Sequence, residues 1–485
     1  PNTFIGLGAG RSDGPLSSSI HNVAIGVNAL YLIDNGGNYN VAIGHYASDD
    51  LTSGEYNVAL GYKANSIGVT TGDYNVSIGY QAGDDLTSGL GNISIGKESG
   101  RNINTGTKNT CVGHETGATI SSSHENVYIG NLCGASSNSG YNVGIGSQCL
   151  EQGAHGDANV AMGWSAGEDL TGTRNVLIGS EAGREMSSGD DNVAIGYAAM
   201  GTGIVTGNFN IAIGRNALMT NTSGSSNVAV GYGAGDALTS GTSNVAVGTD
   251  ALGLQTTNHY NTAVGVAALG KNNLHGGFNT GVGVVAGGEI TTGSRHTCLG
   301  YGAGSNAVSG TKTTFLGFQA LASGTATSHE IVIGAENTGK GSSTAFISAD
   351  GGSTYNGANT TVWVVYSDRR IKKNITDNTD GLDIINQIRV RNYEYRTEDE
   401  IVDFDNPKAA VIKQEGIQIG AIAQEIEEVL PEVITTESTG VKSLNADNLT
   451  WYLINAIKEL SAKLDATGSV AELEQRIHDI EQRLV

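Results

Sequence analysis

The feature that most constrains the fold is a short motif that recurs twenty times between Asn2 and Ile333, at intervals averaging about 17 residues. One copy runs from Asn227 to Gly231 and reads Asn-Val-Ala-Val-Gly. With Asn counted as position zero, position one is always Val, Ile or Thr, position three is always apolar, and position four is always Gly. A period this regular predicts a solenoid, in which each repeat stacks only on its neighbours.

Each copy reads as a short strand followed by a corner. Apolar residues alternate at positions one and three, so we expect both to point into a narrow core. The invariant Gly is expected to turn the corner in a backbone conformation that other residues resist. A second loop closes the repeat, typically as Leu-Thr-Ser-Gly at residues 86–89. Twenty turns spaced by roughly 4.8 Å would make a rod about 95 Å long.

Position zero is Asn in seventeen copies and fails only in the last three, at His296, Thr313 and Glu330. Asn repeated at one position of stacked strands can form an amide ladder, in which each side chain bonds to the turn above. We therefore interpret this column as structural, and we expect no ion, sugar or phosphate to bind to it.

Position two is usually small, as at Ala42, Ser77 and Gly144, with larger residues at Phe4, Tyr128, Leu177 and Phe315. If positions one and three face the core, this small and mostly uncharged stripe faces outward and would allow neighbouring chains to approach closely. A single coil of 17 residues encloses only a thin core. We therefore predict three chains side by side, with one interwound triple β-helix as the alternative. The repeats also resemble the heads of trimeric autotransporter adhesins.

The overall charge and the cysteine content exclude several classes of function. The formal net charge is −22, which makes nucleic acid and anionic membranes poor partners. No apolar run is long enough to span a membrane. The four cysteines share repeat positions that usually hold Ala or Ser, so small buried thiols are expected; Cys133 and Cys149 would stack one turn apart. No spacing suggests a metal or another cofactor.

The character of the sequence changes between Tyr366 and Ser367. Only five of the 72 glycines follow this point, and charged residues rise from roughly one in ten to almost one in three. Residues 367–375 read Ser-Asp-Arg-Arg-Ile-Lys-Lys-Asn-Ile. This block resembles the start of the intramolecular chaperone domain (peptidase S74 family) found at the C-terminus of many phage tail fibres and tailspikes. Residues 416–432 resemble the second signature of that family, a strand and a helix stopped by Pro431.

Two helical patterns follow. Apolar residues at 454, 457, 460 and 464 mark one helix, and Gly468 separates it from a second. A capping box at residues 469–472 opens the second helix. Its apolar residues at 470, 473, 477, 480 and 484 have heptad spacing, which predicts a terminal trimeric coiled coil.

The resemblance implies a self-cleaving serine–lysine peptidase. Ser367 would attack the carbonyl of Tyr366, and neutral Lys372, five residues later, would take the serine proton. Arg369, Arg370 and Lys373 would crowd Lys372 with positive charge and so lower its pKa. Asp368 also matches the motif, with an orienting role. Ile371 stands where the family more often has leucine.

The sequence thus predicts a mainly β protein in three parts: a parallel β-solenoid shaft over residues 1–337, a β transition segment over 338–366, and a small α+β chaperone domain over 367–485. Trp363 and Tyr366 in the transition segment are expected at the trimer axis or against a receptor. The function expected is that of a viral tail fibre, made in the host cytoplasm, that binds a glycan or protein receptor on the host. Its only expected enzymatic activity is self-cleavage.

Two alternatives remain open. A bacterial trimeric surface adhesin would need an outer-membrane barrel at its C-terminus. A polysaccharide-degrading tailspike would need two carboxylates at a fixed separation, and the acidic pairs at 84–85 and 190–191 have no evident partner. Because the sequence opens at Pro1 without a methionine, an upstream attachment region is expected.

Overall fold

The structure is a computed structural model that describes residues 1–11, 19–33, 36–136, 138–153, 155–270, 276–349, 352–356, 369–397, 400–401, 414–436, 441–466 and 470–484. Within the chain two compact units are distinct, Pro1–Tyr366 and Ser367–Val485.

The first unit is a parallel β-solenoid. Each sequence repeat forms one three-residue strand over positions one to three, and each strand pairs in parallel with the next, position against position. We call each repeat a rung and number it by its strand. The twenty strands are β1 Thr3–Ile5, β2 Val23–Ile25, β3 Val41–Ile43, β4 Val58–Leu60, β5 Val76–Ile78, β6 Ile93–Ile95, β7 Thr110–Val112, β8 Val127–Ile129, β9 Val143–Ile145, β10 Val160–Met162, β11 Val176–Ile178, β12 Val193–Ile195, β13 Ile211–Ile213, β14 Val228–Val230, β15 Val245–Val247, β16 Thr262–Val264, β17 Thr280–Val282, β18 Thr297–Leu299, β19 Thr314–Leu316 and β20 Ile331–Ile333. Because every rung pairs with rungs of its own chain, the structure contradicts the interwound alternative.

The solenoid sheet continues past the last full motif. Strand β21 (Ala345–Ala349) pairs in parallel with β20, and β22 (Gly352–Asn356) returns antiparallel to β21. The predicted transition segment is therefore β structure as far as it is described, and its first strand adds a further rung. Residues 357–368, which include Trp363 and Tyr366, lie outside the described part of the chain.

The core-facing positions differ from the sequence prediction. Position two is buried on all rungs but the first, whereas positions one and three are half-buried or exposed. The predicted orientation of the strands was therefore wrong: the small stripe lines the interior, and the aliphatic stripes at positions one and three face outward. A coil this narrow has room inside for Ala but not for two aliphatic columns.

The interior is filled by three sets of side chains. Position two contributes mostly Ala, position seven contributes a second small residue such as Ala234, and the second loop contributes larger apolar residues such as Leu86 and Ile103. Tyr128 at position two is fully buried. Its ring occupies the space beside Gly134, where an added Cβ would lie 2.6 Å from the ring. Volume is thus conserved within a rung.

The invariant Gly at position four has a steric reason. Gly231 has φ +137°, a conformation that L-residues rarely adopt, and a Cβ there would lie 2.7 Å from the backbone carbonyl of Gly248 on the next rung. Both the torsion angle and the close stacking of carbonyls exclude a side chain.

The predicted amide ladder is present. In rungs 13 and 14 the Asn227 backbone N–H donates to Oδ1 of Asn210 (3.0 Å), and Nδ2 of Asn227 donates to the same oxygen (3.2 Å) and to the Gly241 carbonyl (2.8 Å). Each amide therefore joins two rungs and also holds the second loop. The column stays buried through its last three members, where His296 contacts Thr313.

Glu330 ends this column as a fully buried carboxylate. It accepts hydrogen bonds from the backbone N–H groups of Ser323 (3.1 Å) and Gly341 (2.9 Å) and from the Thr327 hydroxyl (3.0 Å). These donors satisfy the buried carboxyl oxygens of Glu330 at the end of the column, where no further Asn amide follows.

The four cysteines are free and buried. Burial raises the pKa of the Cys111 and Cys298 thiols to about 12. Cys133 lies next to Cys149, and this contact together with burial also raises its pKa. The expectation of small buried thiols is therefore confirmed.

The second unit mixes short strands and helices. Helix α1 (Leu382–Ile385) precedes β23 (Arg391–Tyr393), which pairs antiparallel with β24 (Gln418–Gly420). Helix α2 (Ala423–Glu427) and a 3-10 turn (Pro431–Val433) lead to the hairpin of β25 (Ile434–Thr436) and β26 (Lys442–Leu444). Helices α3 (Ala446–Ala466) and α4 (Val470–Arg483) complete it. No described helix combines the length and the apolar character that crossing a bilayer requires.

Candidate active site

The predicted site lies at the start of the second unit, and the structure describes part of it. A 3-10 turn spans Arg369–Ile371, and the Lys372 backbone N–H donates to the Arg369 carbonyl at its end (3.2 Å). The side chains of Arg369, Arg370 and Lys372 are exposed. Tyr366, Ser367 and Asp368 lie outside the described residues, so of the predicted dyad the structure describes Lys372 but not Ser367.

The chain that leaves this turn is anchored on helix α3. Nδ2 of Asn455 donates to the carbonyls of Asn378 (2.9 Å) and Asp380 (3.2 Å). The Glu459 carboxylate accepts the backbone N–H of Leu382 (3.1 Å). Two polar residues of α3, about 80 residues later in the sequence, therefore fix the segment that follows the predicted dyad.

An ion pair joins a strand that follows the first signature to the helix of the second. Arg391 on β23 binds the Glu425 carboxylate of α2 through Nε (3.1 Å) and Nη2 (2.7 Å). This bidentate contact lowers the pKa of Glu425. It pins the strand that follows the first signature against the helix of the second, with a geometry that Lys could not reproduce. Sequence reasoning did not single out this pair, because nothing in either motif reveals that the two segments are neighbours.

A small apolar core supports the arrangement. Ile426, Leu430 and Val433 are buried, with Ile384 of α1 and Leu449 of α3 packed against them. The described part of the unit leaves a larger set of apolar side chains exposed. On α3 and α4 and just beyond α4 these are Trp451, Leu453, Ile454, Ile457, Leu460, Leu464, Leu473, Ile477, Ile480 and Leu484. The domain thus buries little of its apolar surface within a single chain.

Comparison with known protein families gives a match in this region. Residues 367–435 match the peptidase S74 family, described as chaperone of endosialidase. The match confirms the resemblance inferred from the two signatures, and it begins at the residue predicted to be the nucleophile. The chaperone family is associated with phage tails and with trimeric assembly. No curated protein matches the chain.

The acidic pairs of the solenoid were the other candidate catalytic groups. Asp84 accepts hydrogen bonds from the Ser66 hydroxyl (2.6 Å) and from Gln81 (3.0 Å), and Asp191 binds Arg174 (2.7 Å). Asp84 and Asp191 therefore take part in contacts between or within rungs. In the described ranges no three His, Cys, Asp or Glu side chains gather as a metal site.

Proposed function

We propose that this chain is a subunit of a trimeric viral tail fibre that binds a host-cell receptor, and that its C-terminal unit directs assembly and then removes itself. One coincidence carries the proposal. The match to the chaperone family begins at residue 367, and the two compact units divide between Tyr366 and Ser367. A boundary between folded units at the predicted scissile bond is what a detachable chaperone requires.

The proposed cleavage needs only residues of the chain and water. Lys372, as a neutral amine, takes the proton of the Ser367 hydroxyl, which attacks the Tyr366 carbonyl. As the peptide bond breaks, Lys372 passes this proton to the Ser367 nitrogen, so that Ser367 gains a free amino group and an ester joins its oxygen to Tyr366. Water then hydrolyses the ester and leaves a carboxylate at Tyr366. Asp368 orients the groups.

The outward face of the solenoid supports side-by-side trimers. Position three presents an apolar column along all twenty strands, and position one presents Val or Ile on fourteen strands and Thr on six. Exposed members of the apolar column include Leu60 (43%), Ile213 (38%) and Leu299 (45%). A face this long and apolar is unusual on a single soluble chain. Two further copies of the chain would cover it, with the three faces meeting around a common axis. The exposed apolar stripe of α4 would form the coiled coil.

The need for a chaperone follows from the repeats. Twenty nearly identical rungs can pair in many shifted registers, and only the correct one matches all three chains. A terminal domain that trimerises first would bring the three chains together in register.

A stop codon after Tyr366 tests this role. The full-length chain should form a soluble trimer by light scattering coupled to gel filtration, whereas the truncated chain should give monomers or aggregates. The full-length Ser367→Ala variant is the matched control and should still form the trimer. A soluble, folded trimer from the truncated gene would refute the proposal.

A further inference from the structure

The aliphatic face has two flanking columns that the trimer proposal does not yet use. Position −1, the residue before the Asn, lies at one end of each strand, and position five, the residue after the invariant Gly, lies at the other. Rung 5 carries Tyr74 at position −1 and Tyr80 at position five, which are 62% and 46% exposed. Both columns run the length of the solenoid beside the aliphatic face.

Within one chain, neighbours along a column contact each other. At position −1, the rings of Tyr39 and Tyr56 stack with centroids 4.8 Å apart, and Lys108 binds Glu125 (3.2 Å). At position five, the Arg215 guanidinium lies 5.4 Å from the ring centroid of Tyr197. These contacts stabilise the stacking of rungs and leave the outer side of each column exposed.

The two residues of one rung also complement each other across the face, although they are too far apart to touch. The three extended residues of the strand between them alone span about 10 Å, and no ring contact or ion pair joins the two columns at one rung anywhere on the described face. Three rungs set a Lys or Arg against a Phe or Tyr ring, three set a Tyr or Trp ring against Ala or Ser, rungs 4 and 5 set Tyr against Tyr, and no rung sets two acids or two Lys or Arg residues together. The cation–ring rungs are 13 (Phe209 and Arg215), 18 (Arg295 and Tyr301) and 19 (Lys312 and Phe318), and the rungs with a large ring against a small residue are 9 (Tyr141 and Ser147), 10 (Ala158 and Trp164) and 14 (Ser226 and Tyr232).

A threefold axis would bring these residues together. Three parallel chains related by rotation form heterologous contacts, so one edge of each face meets the opposite edge of the next. Position −1 of one chain then meets position five of its neighbour. Rotation about an axis parallel to the solenoid has no translation along it, so equal rungs meet.

We propose that position −1 of each chain packs against position five of the same rung in a second copy of the chain, so that the two columns match the chains rung by rung. The proposal rests on the trimer proposed above and specifies its interface. Cations facing aromatic rings, and large side chains facing small ones, give favourable contacts, and most of these are lost when the register shifts. A shift of one rung sets Arg295 of rung 18 against Phe318 but leaves Lys312 of rung 19 opposite Ala335.

Disulfide trapping tests the proposal on the full-length chain. The double variant Ser226→Cys with Tyr232→Cys places one thiol on each column of rung 14, and both positions are exposed. Under mild oxidation each chain should bond to both neighbours, and most of the protein should migrate at three times the chain mass in denaturing gels without reductant. Reductant should return it to the single chain. The wild type, whose four cysteines are buried, is the blank.

Two controls distinguish the proposed rung-by-rung contact from other crosslinks between chains. Each single-cysteine variant should stay uncrosslinked, because a heterologous contact never places equal residues together. The pair Ser226→Cys with Tyr197→Cys combines the same columns two rungs apart and should crosslink at least tenfold less. Crosslinked dimers from a single variant, or an equal yield from the mismatched pair, would overturn the rung-by-rung contact. Light scattering on the uncrosslinked protein reports the trimer separately, so a trimer without crosslinks refutes only this inference.

Discussion

Removing one amide from the buried ladder should destabilise the solenoid far more than removing an exposed amide. Asn175 is fully buried. Its Nδ2 donates to Oδ1 of Asn159 (3.1 Å) and to the Gly189 carbonyl (2.9 Å). Its Oδ1 accepts the backbone N–H (2.9 Å) and Nδ2 (3.2 Å) of Asn192.

In the Asn175→Ala variant two buried backbone groups lose the hydrogen bonds described above, the Asn192 N–H and the Gly189 carbonyl. Nδ2 of Asn192 still donates to the Gly207 carbonyl, and Oδ1 of Asn159 still accepts the backbone N–H of residue 175. Each unsatisfied buried group costs about 1–3 kcal/mol. The expected loss is therefore about 2–6 kcal/mol per chain.

The assay is urea unfolding followed by circular dichroism, together with hydrogen exchange of the peptide that contains Asn192. Asn104→Ala is the matched control, because Asn104 is exposed in the second loop of rung 6, outside both flanking columns, and it should change stability by less than about 0.5 kcal/mol. The Asn192 amide should also exchange faster in the Asn175 variant. Equal unfolding midpoints for the two variants would refute the ladder as a source of stability.

Three further outcomes are expected. Gly134→Ala should cost about 1–3 kcal/mol, measured as a lower melting temperature, because a Cβ would overlap the Tyr128 ring and Gly134 has φ +60°; an unchanged melting temperature would contradict the packing. Burial and the nearby Asp50 raise the pKa of Asp49 to about 7, so the fold favours the protonated carboxyl. The free energy of unfolding should therefore fall as pH rises from about 4 to 7. Asp49→Asn should abolish this fall in urea titrations. Ile477→Asp should prevent trimer formation in light scattering, whereas the neighbouring His478→Asp should not, and equal behaviour of the two would contradict a coiled coil.

The sequence predicted much of the solenoid because its signals are local and repeated. Strand positions, the amide ladder and the invariant glycine all follow from residue types at fixed spacing. The sequence did not predict which face of each strand lies inside, because alternation with a period of two marks two faces without distinguishing the interior one. Phe4, Tyr128 and Leu177 at position two each coincide with Gly at position eight of the same rung, but Phe315 does not. Gly also stands at position eight on seven rungs with a small residue at position two, so this pattern does not identify the interior face.

The candidate site was predictable only in part. The signature at 367–375 identified the family, since motif and position agree. The anchoring of the following segment by Asn455 and Glu459 was not predictable, because these contacts join residues about 80 positions apart. The same holds for the Arg391–Glu425 pair. Polar contacts between residues far apart in the chain produce no repeating pattern from which a single sequence could predict them.

The most direct measurement of the central claim is the intact mass of the purified full-length protein, followed over time after the trimer has formed. The wild type should yield two fragments that meet between Tyr366 and Ser367. Ser367→Ala and Lys372→Ala should each remain one chain while still forming trimers, and Lys458→Ala, which changes an exposed lysine of α3 outside the proposed dyad, should still cleave. A wild-type trimer that never cleaves under any condition, or cleavage that persists in Ser367→Ala, would contradict the claim that the chaperone removes itself.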